Sequence, residues 1–174
     1  MGDHSRFRCF AEFIGTTFTQ AHCIADVAGG HGELAFWLHE LGKKPTIIDP
    51  RETTLPRWIH RILRKKAIRE GRLVRIDRLK KSVEEIDLSP FDLAVAMHPD
   101  EATEPTLLQA IECHLDFAIV PCCVFPVNKK KSSKEEWILY LASLCSGIRM
   151  TRLPISGSNT VLWRKCGKTE GYSA

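Results

Sequence analysis

Two acids, a glycine-rich run and a histidine set against a cysteine pair are the residues whose types and spacing could do chemistry. Asp26 closes an apolar run and is followed by Val27-Ala28-Gly29-Gly30-His31-Gly32; Asp49 closes the next apolar run. Glycines at Gly29, Gly30 and Gly32 tolerate unusual backbone angles and let a ligand approach the main chain. The helix that such a turn opens presents unpaired N–H groups and the positive end of its dipole. A carboxylate at the end of the following strand is placed to take ribose hydroxyls. The combination predicts half of a nucleotide-cofactor site, with Asp26, Ala28, Gly29, Gly30, Gly32 and Asp49 as its residues. The competing reading is a strand-to-helix turn whose glycines serve packing alone.

The second group lies further along, in Met97-His98-Pro99-Asp100-Glu101 and Val120-Pro121-Cys122-Cys123. A histidine with an ordinary pKa of about 6.5 suits His98 to act as general base for a hydroxyl or ring nitrogen. Cys122, as a thiolate, is a candidate nucleophile for a pyrimidine ring. The bland reading makes both cysteines small residues filling a crowded strand end. Cys113, His114, Cys122 and Cys123 do not have a standard zinc spacing, so no metal is expected.

Charge supplies a third group. Eleven Lys and Arg lie between Arg57 and Lys81 against two acids, whereas the whole chain is only +4. Such asymmetry suggests a face for a polyanion, unless it is an ordinary solvated helix. Lys80 and Lys81, with Lys129, Lys130 and Lys131, fall where they would meet phosphates at the ligand edge of a sheet. Trp58 within the basic run is either a stacking surface or a buried anchor.

The elements needed to hold these residues alternate regularly. A helix is predicted over Ser5 to Ile14, a strand over His22 to Val27, and a helix burying Leu34, Trp37, Leu38 and Leu41 before Gly42. Pro45 to Ile48 is the second strand, and Pro56 to Glu70 a basic helix with Pro at its start. Leu73 to Ile76 is the third strand, followed by a helical turn around Ser82 to Ile86. Phe91 to Met97 reads as a strand buried on both faces. Helix Glu101 to His114, strand Phe117 to Val120 and helix Lys134 to Cys145 follow. The runs Ile148 to Leu153 and Asn159 to Lys165 flank a Pro/Ser/Gly turn and should form a hairpin, so at least one strand is antiparallel. The expected fold is α/β: an open, mostly parallel seven-stranded sheet with helices on both faces.

With these motifs, the stretch from about His22 to Cys166 resembles a class I S-adenosylmethionine-dependent methyltransferase of Rossmann-like fold. Its members carry acids at the ends of the first two strands, a glycine-rich turn between them and a closing antiparallel hairpin. Their commonest form has glycine at the positions of Ala28, Gly30 and Gly32, so Ala28 is a departure. The resemblance implies S-adenosyl-L-methionine as cofactor. Asp26 and the turn would hold its methionine part, Asp49 its ribose, and Asp77 with Arg78 would sit near its adenine. The His98 and Cys122 segments are similar to a narrower group with H-x-C-G-x-x-T-D followed by P-C-C, which includes certain tRNA ribose methyltransferases. His98, Thr103, Glu104, Cys122 and Cys123 fit that pattern; Asp100 and Glu101 replace its Cys and Gly. An RNA acceptor (tRNA or rRNA) is therefore expected first, and a protein acceptor or partner subunit second.

Two alternatives stand beside this. A catalytically degenerate methyltransferase fold would bind RNA or protein without turnover. An NAD-dependent oxidoreductase is open because Gly30-His31-Gly32-Glu33-Leu34-Ala35 matches G-x-G-x-x-A. Asp26 would repel a dinucleotide pyrophosphate, and no second domain is visible. The chain, at 174 residues, reads as a single domain with an N-terminal helical segment over 1–21 and a core over 22–166. No apolar run reaches the roughly 20 residues of a membrane span, and no signal peptide is visible. Seven cysteines without a C-x-x-C pair suggest reduced thiols and an intracellular location, cytoplasmic or nuclear.

Overall fold

The computed structural model describes residues 5–124 and 133–166. Lys129, Lys130 and Lys131 lie outside them. Seven strands form one sheet: β1 (Cys23–Val27), β2 (Lys44–Ile48), β3 (Asp77–Leu79), β4 (Leu93–Met97), β5 (Asp116–Val120), β6 (Arg149–Arg152) and β7 (Thr160–Arg164). Their order is β3-β2-β1-β4-β5-β7-β6. β7 is antiparallel to both β5 and β6, so it is the one reversed strand. The expected hairpin is present, with β7 filling the slot between its partner and the parallel body.

The order reverses between β1 and β4, which pair directly (Ile24 with Leu93, Asp26 with Val95). Crossovers to opposite sides leave a crevice beyond the carboxyl ends of these two strands, the place where open α/β sheets bind ligands. β4 is buried along its whole length, as its uninterrupted apolar run requires.

Helices cover both faces. On one lie α1 (Ser5–Thr17), α2 (Glu33–Glu40) and α3 (Arg57–Glu70); on the other α4 (Thr103–Glu112) and α5 (Lys134–Ser143). Phe10, Ala11 and Ile14 form the buried stripe of α1 and meet Ile24, Leu34 and Leu38. Ala25, Val27, Ala94 and Ala96 point the other way, towards Leu107, Trp137 and Leu141. That alternation is the period-2 geometry of the strands. In α2 the core face is Leu34, Ala35, Phe36 and Leu38; Leu41, expected inside, follows the helix and is exposed.

The third strand differs from expectation in a way that matters below. Leu73 is exposed, and pairing with β2 begins only at Asp77, opposite Thr46. The apolar run Leu73 to Ile76 supplies only Val74, and partly Ile76, to the small core beneath α3, so it serves as an approach segment. α4 begins at Thr103, after a short 3-10 turn over Asp100–Ala102.

Candidate active site

The glycine-rich turn crosses from β1 to α2 with Ala28, Gly30 and Gly32 all at positive φ. Ala28 thus occupies a left-handed conformation that costs an L-residue about 1–2 kcal/mol. Gly29 has a different purpose: a Cβ there would lie 2.6 Å from Asp26 Oδ2. The Gly30 peptide is clamped on both sides. Its N–H donates to Asp49 Oδ2 (2.8 Å), and its carbonyl accepts from Thr53 Oγ1 (2.6 Å) and Arg78 Nη2 (2.7 Å). The turn is therefore set by residues beyond β2 and on β3 before any ligand arrives.

Asp26 is buried, and neither carboxylate oxygen has a hydrogen-bond partner among the described residues. Desolvation pushes its pKa up to about 7, with a smaller push from Asp49; the nearby Ala35 N–H and Arg78 charge only partly oppose it. An orphaned buried carboxylate fits a cationic partner such as an ammonium group. It borders a recess of about 220 Å³ whose walls include Arg6, Phe7, Glu33 and Met97.

Asp49 has the opposite character. Burial alone would raise its pKa, yet hydrogen bonds from Arg51 and Gly30 outweigh that and hold it below the usual carboxylate range. Arg51 donates to Oδ1 from its backbone N–H (2.9 Å) and Nε (3.0 Å), and to Oδ2 from Nη2 (2.8 Å). Together with the Gly30 bond, the four acceptor positions of the carboxylate are filled. Asp49 borders a second recess of about 270 Å³, with Arg51, Val83, Glu84 and Ala102 among its walls. The two recesses share Ala28 and His98, so they form one cleft along the strand ends.

Asp77 and Arg78 part company. Because β3 starts at Asp77, that acid sits inside the pairing and turns to Arg75 (3.1 Å) rather than lining the cleft. Arg78 does reach the site, through the Gly30 carbonyl. The wall expected from Asp77 comes instead from Ser82, Val83 and Glu84. Ser82 and Glu85 there form a reciprocal capping box, which S-x-x-E in the sequence would have signalled.

At the other end, His98 and Asp100 flank Pro99 with positive φ. His98 Nε2 lies 3.0 Å from the Ser158 carbonyl; since a carbonyl only accepts, Nε2 carries the proton and Nδ1 is the ring's acceptor. Burial holds the His98 pKa below its ordinary value, with the Ser158 bond partly opposing it. The Cys122 thiol donates to Asp100 Oδ1 at 2.9 Å. Burial, then that bond, push its pKa up to about 12, so the thiolate needed of a nucleophile is not formed near neutrality. To act as a nucleophile, Cys122 would have to pass this proton to a base. Cys113 and His114 lie before β5 and Cys122 and Cys123 beyond it, so the four are split between opposite edges of the sheet. Glu104, buried, accepts from Tyr140 Oη (2.5 Å) and ties α4 to α5.

No protein-family model matches the sequence, and no curated protein matches it. Solved structures do match in shape. A methyltransferase from Geobacter sulfurreducens superposes with a TM-score of 0.58 at 12% identity, covering 94% of this chain and 80% of that one. The Burkholderia thailandensis 1,6-didemethyltoxoflavin-N1-methyltransferase, with S-adenosylhomocysteine bound, gives 0.53 at 19%, over 92% and 77%. Human N-acetylserotonin methyltransferase in complex with SAM gives 0.58 at 16%, over 93% of this chain and 51% of that protein. The fold is that of class I methyltransferases. The reversed β7 between β5 and β6 separates it from the 3-2-1-4-5-6 order of dinucleotide-binding folds.

On this methyltransferase fold the basic residues divide. Lys80 pairs with Glu52 (3.0 Å), Lys66 with Glu40 (3.0 Å), Arg72 with Glu70 (2.7 Å) and Arg75 with Asp77. Lys81 is exposed at the cleft edge of β3. Arg57, Arg61, Arg64 and Lys65 are exposed along one side of α3 and make no ion pair among the described residues. Trp58, partly buried, packs edge-on against Phe36 (5.1 Å), beside the buried Ile59 and Leu63 of the same helix. Arg6, Phe7, Arg51, Thr53, Ser82 to Glu84 and Ser158 are the site residues that sequence reasoning did not find.

Proposed function

We propose that this chain is an S-adenosyl-L-methionine-dependent methyltransferase. The observation that carries the reading is Asp26: a buried carboxylate without a hydrogen-bond partner among the described residues, opening on the recess beside the glycine-rich turn. Asp26 would receive the cofactor's ammonium group, while Asp49, once Arg51 swings aside, would take ribose hydroxyls. Val83 and Ala102 would flank the adenine. When bound, the cofactor supplies an activated methyl group. His98 then holds a neutral ring with Nδ1 ready to accept a proton from the acceptor's hydroxyl or ring nitrogen.

RNA is the acceptor class we favour. Arg57 opens α3, and Arg61, Arg64 and Lys65 continue an exposed basic stripe along it. Such a stripe suits the backbone of a polyanion whose reacting nucleotide lies in the cleft. One observation favours a second reading, a methyltransferase fold that binds without turnover: Asp49 is fully engaged by the chain's own Arg51 and Gly30.

Calorimetric titration with S-adenosylmethionine, S-adenosylhomocysteine and NAD separates these. Binding of the first two without NAD supports the methyltransferase reading. Silence for all three supports the degenerate fold, and NAD binding alone reinstates the oxidoreductase.

A further inference from the structure

The loops after β4 and β5 bring together three side chains that the proposed methyl transfer leaves unexplained. Asp100 Oδ, Cys122 Sγ and Cys123 Sγ all lie within 4.8 Å of one another. Asp100 has a left-handed backbone, and its carbonyl is fixed by Thr103 Oγ1 (2.7 Å). Asp100 and Cys122 are half-buried, while Cys123 is exposed and leaves the group open to solvent.

We propose that Asp100, Cys122 and Cys123 form a binding site for a borderline-soft divalent cation of the zinc class. Two sulfurs and one carboxylate oxygen select such an ion over magnesium or calcium, which prefer oxygen donors alone. Zinc–sulfur and zinc–oxygen bonds of about 2.3 and 2.0 Å place neighbouring ligands of a tetrahedral ion roughly 3.5–4 Å apart. The cluster's span requires only small side-chain rotations to meet that spacing. Three protein ligands leave the fourth position to water or to a group from the cleft, which Asp100 also lines. His98 is not part of the set.

The 2.9 Å contact between Cys122 Sγ and Asp100 Oδ1 shows what the cation replaces. A thiol proton now bridges sulfur and carboxylate; the ion would take its place and release it to solvent, with that of Cys123. Binding is then proton-coupled and tightens as pH rises.

The full chain, reduced and stripped with a chelator, is titrated with Co2+ and followed by absorbance. The expected result is one ion per chain, with a thiolate-to-cobalt charge-transfer band and tetrahedral ligand-field bands, both lost on adding Zn2+. Cys122→Ser and Cys123→Ser each lose the charge-transfer band or sharply weaken it, Asp100→Asn lowers affinity, and Cys113→Ser changes nothing. Cys123 is exposed, so its variant tests the site even if Cys122→Ser folds poorly. A titration without the band, or a band that survives in the Cys122→Ser/Cys123→Ser double variant, overturns the proposal. S-adenosylmethionine takes no part in the readout, so failure here leaves the methyltransferase reading untouched.

Discussion

Arg51 closes over Asp49, engaging both carboxylate oxygens through three hydrogen bonds from a residue two positions along the chain. The guanidinium is largely exposed while the carboxylate is buried, so the lid is movable and its seat is not. Arg51→Ala should free Asp49 for ribose and tighten S-adenosylhomocysteine binding by about tenfold, within the range of one charge-assisted hydrogen bond. Asp49→Ala should weaken it by roughly 1–3 kcal/mol. Calorimetry on both variants is decisive: parallel losses would make Arg51 a ligand contact rather than a lid.

Asp26 gives the protein a distinctive pH dependence. Its carboxyl titrates at about 7 in the fold, against 3.8 for an unperturbed aspartate. Between those values the folded chain holds a proton that the unfolded chain has released. Stability should therefore be fully present below about pH 4, fall as pH rises to about 7 and then level off, a loss on the order of 4 kcal/mol. Asp26→Asn should flatten that slope in denaturant titrations at pH 5 and pH 8. A cationic ammonium favours the ionised acid, so ligand affinity in the wild type should rise with pH over the same window.

The turn residues separate conformational strain from crowding. Ala28→Gly removes a left-handed alanine but adds freedom to the unfolded chain, and should be a net gain of about 0.5–1 kcal/mol. Gly29→Ala pushes a methyl into Asp26 and should cost about 1–3 kcal/mol. Urea midpoints of the two variants should move in opposite directions.

For His98, replacement by alanine should lower turnover by about 10²–10⁴ with little change in cofactor affinity, as loss of a general base does. Because burial depresses its pKa, the acid limb of the wild-type rate profile should lie below that of an ordinary histidine. A profile unchanged in His98→Ala would remove it from the chemistry.

RNA binding, if it runs along α3, should fall steeply with salt. Reversing Arg61 and Arg64 to Glu should lower the slope of log K against log salt by about 0.7 or more for each phosphate no longer neutralised. A flat salt dependence in the wild type would exclude the basic stripe as an RNA track.

How far the sequence revealed the site depended on distance along the chain. The turn from Asp26 to Gly32 was legible because its glycines and flanking acid are contiguous. Leu73 to Ile76 misled because an apolar run states a preference for burial, whereas pairing with β2 decides which residues form the strand. That shift turned Asp77 to Arg75, while Arg78 holds the Gly30 carbonyl. The Arg51 lid was hidden for another reason: Asp-Pro-Arg permits many side-chain arrangements, and only the buried carboxylate selects this one. The hydrogen bond between Asp100 and Cys122 joins two loops 22 residues apart, which no spacing rule links.

The position of β7 has a dynamic consequence. Among the described residues β6 hydrogen-bonds to the sheet only through β7, so it loses that attachment when β7 lets go. The two strands should open as one unit, with β6 amides exchanging with solvent no more slowly than those of β7. Ser158 lies in the connection between them and grips the His98 ring. Each opening of this C-terminal flap would therefore release the imidazole to rotate, so the fraction of molecules holding a correctly aimed base is governed by the breathing of a hairpin on the far side of the cleft.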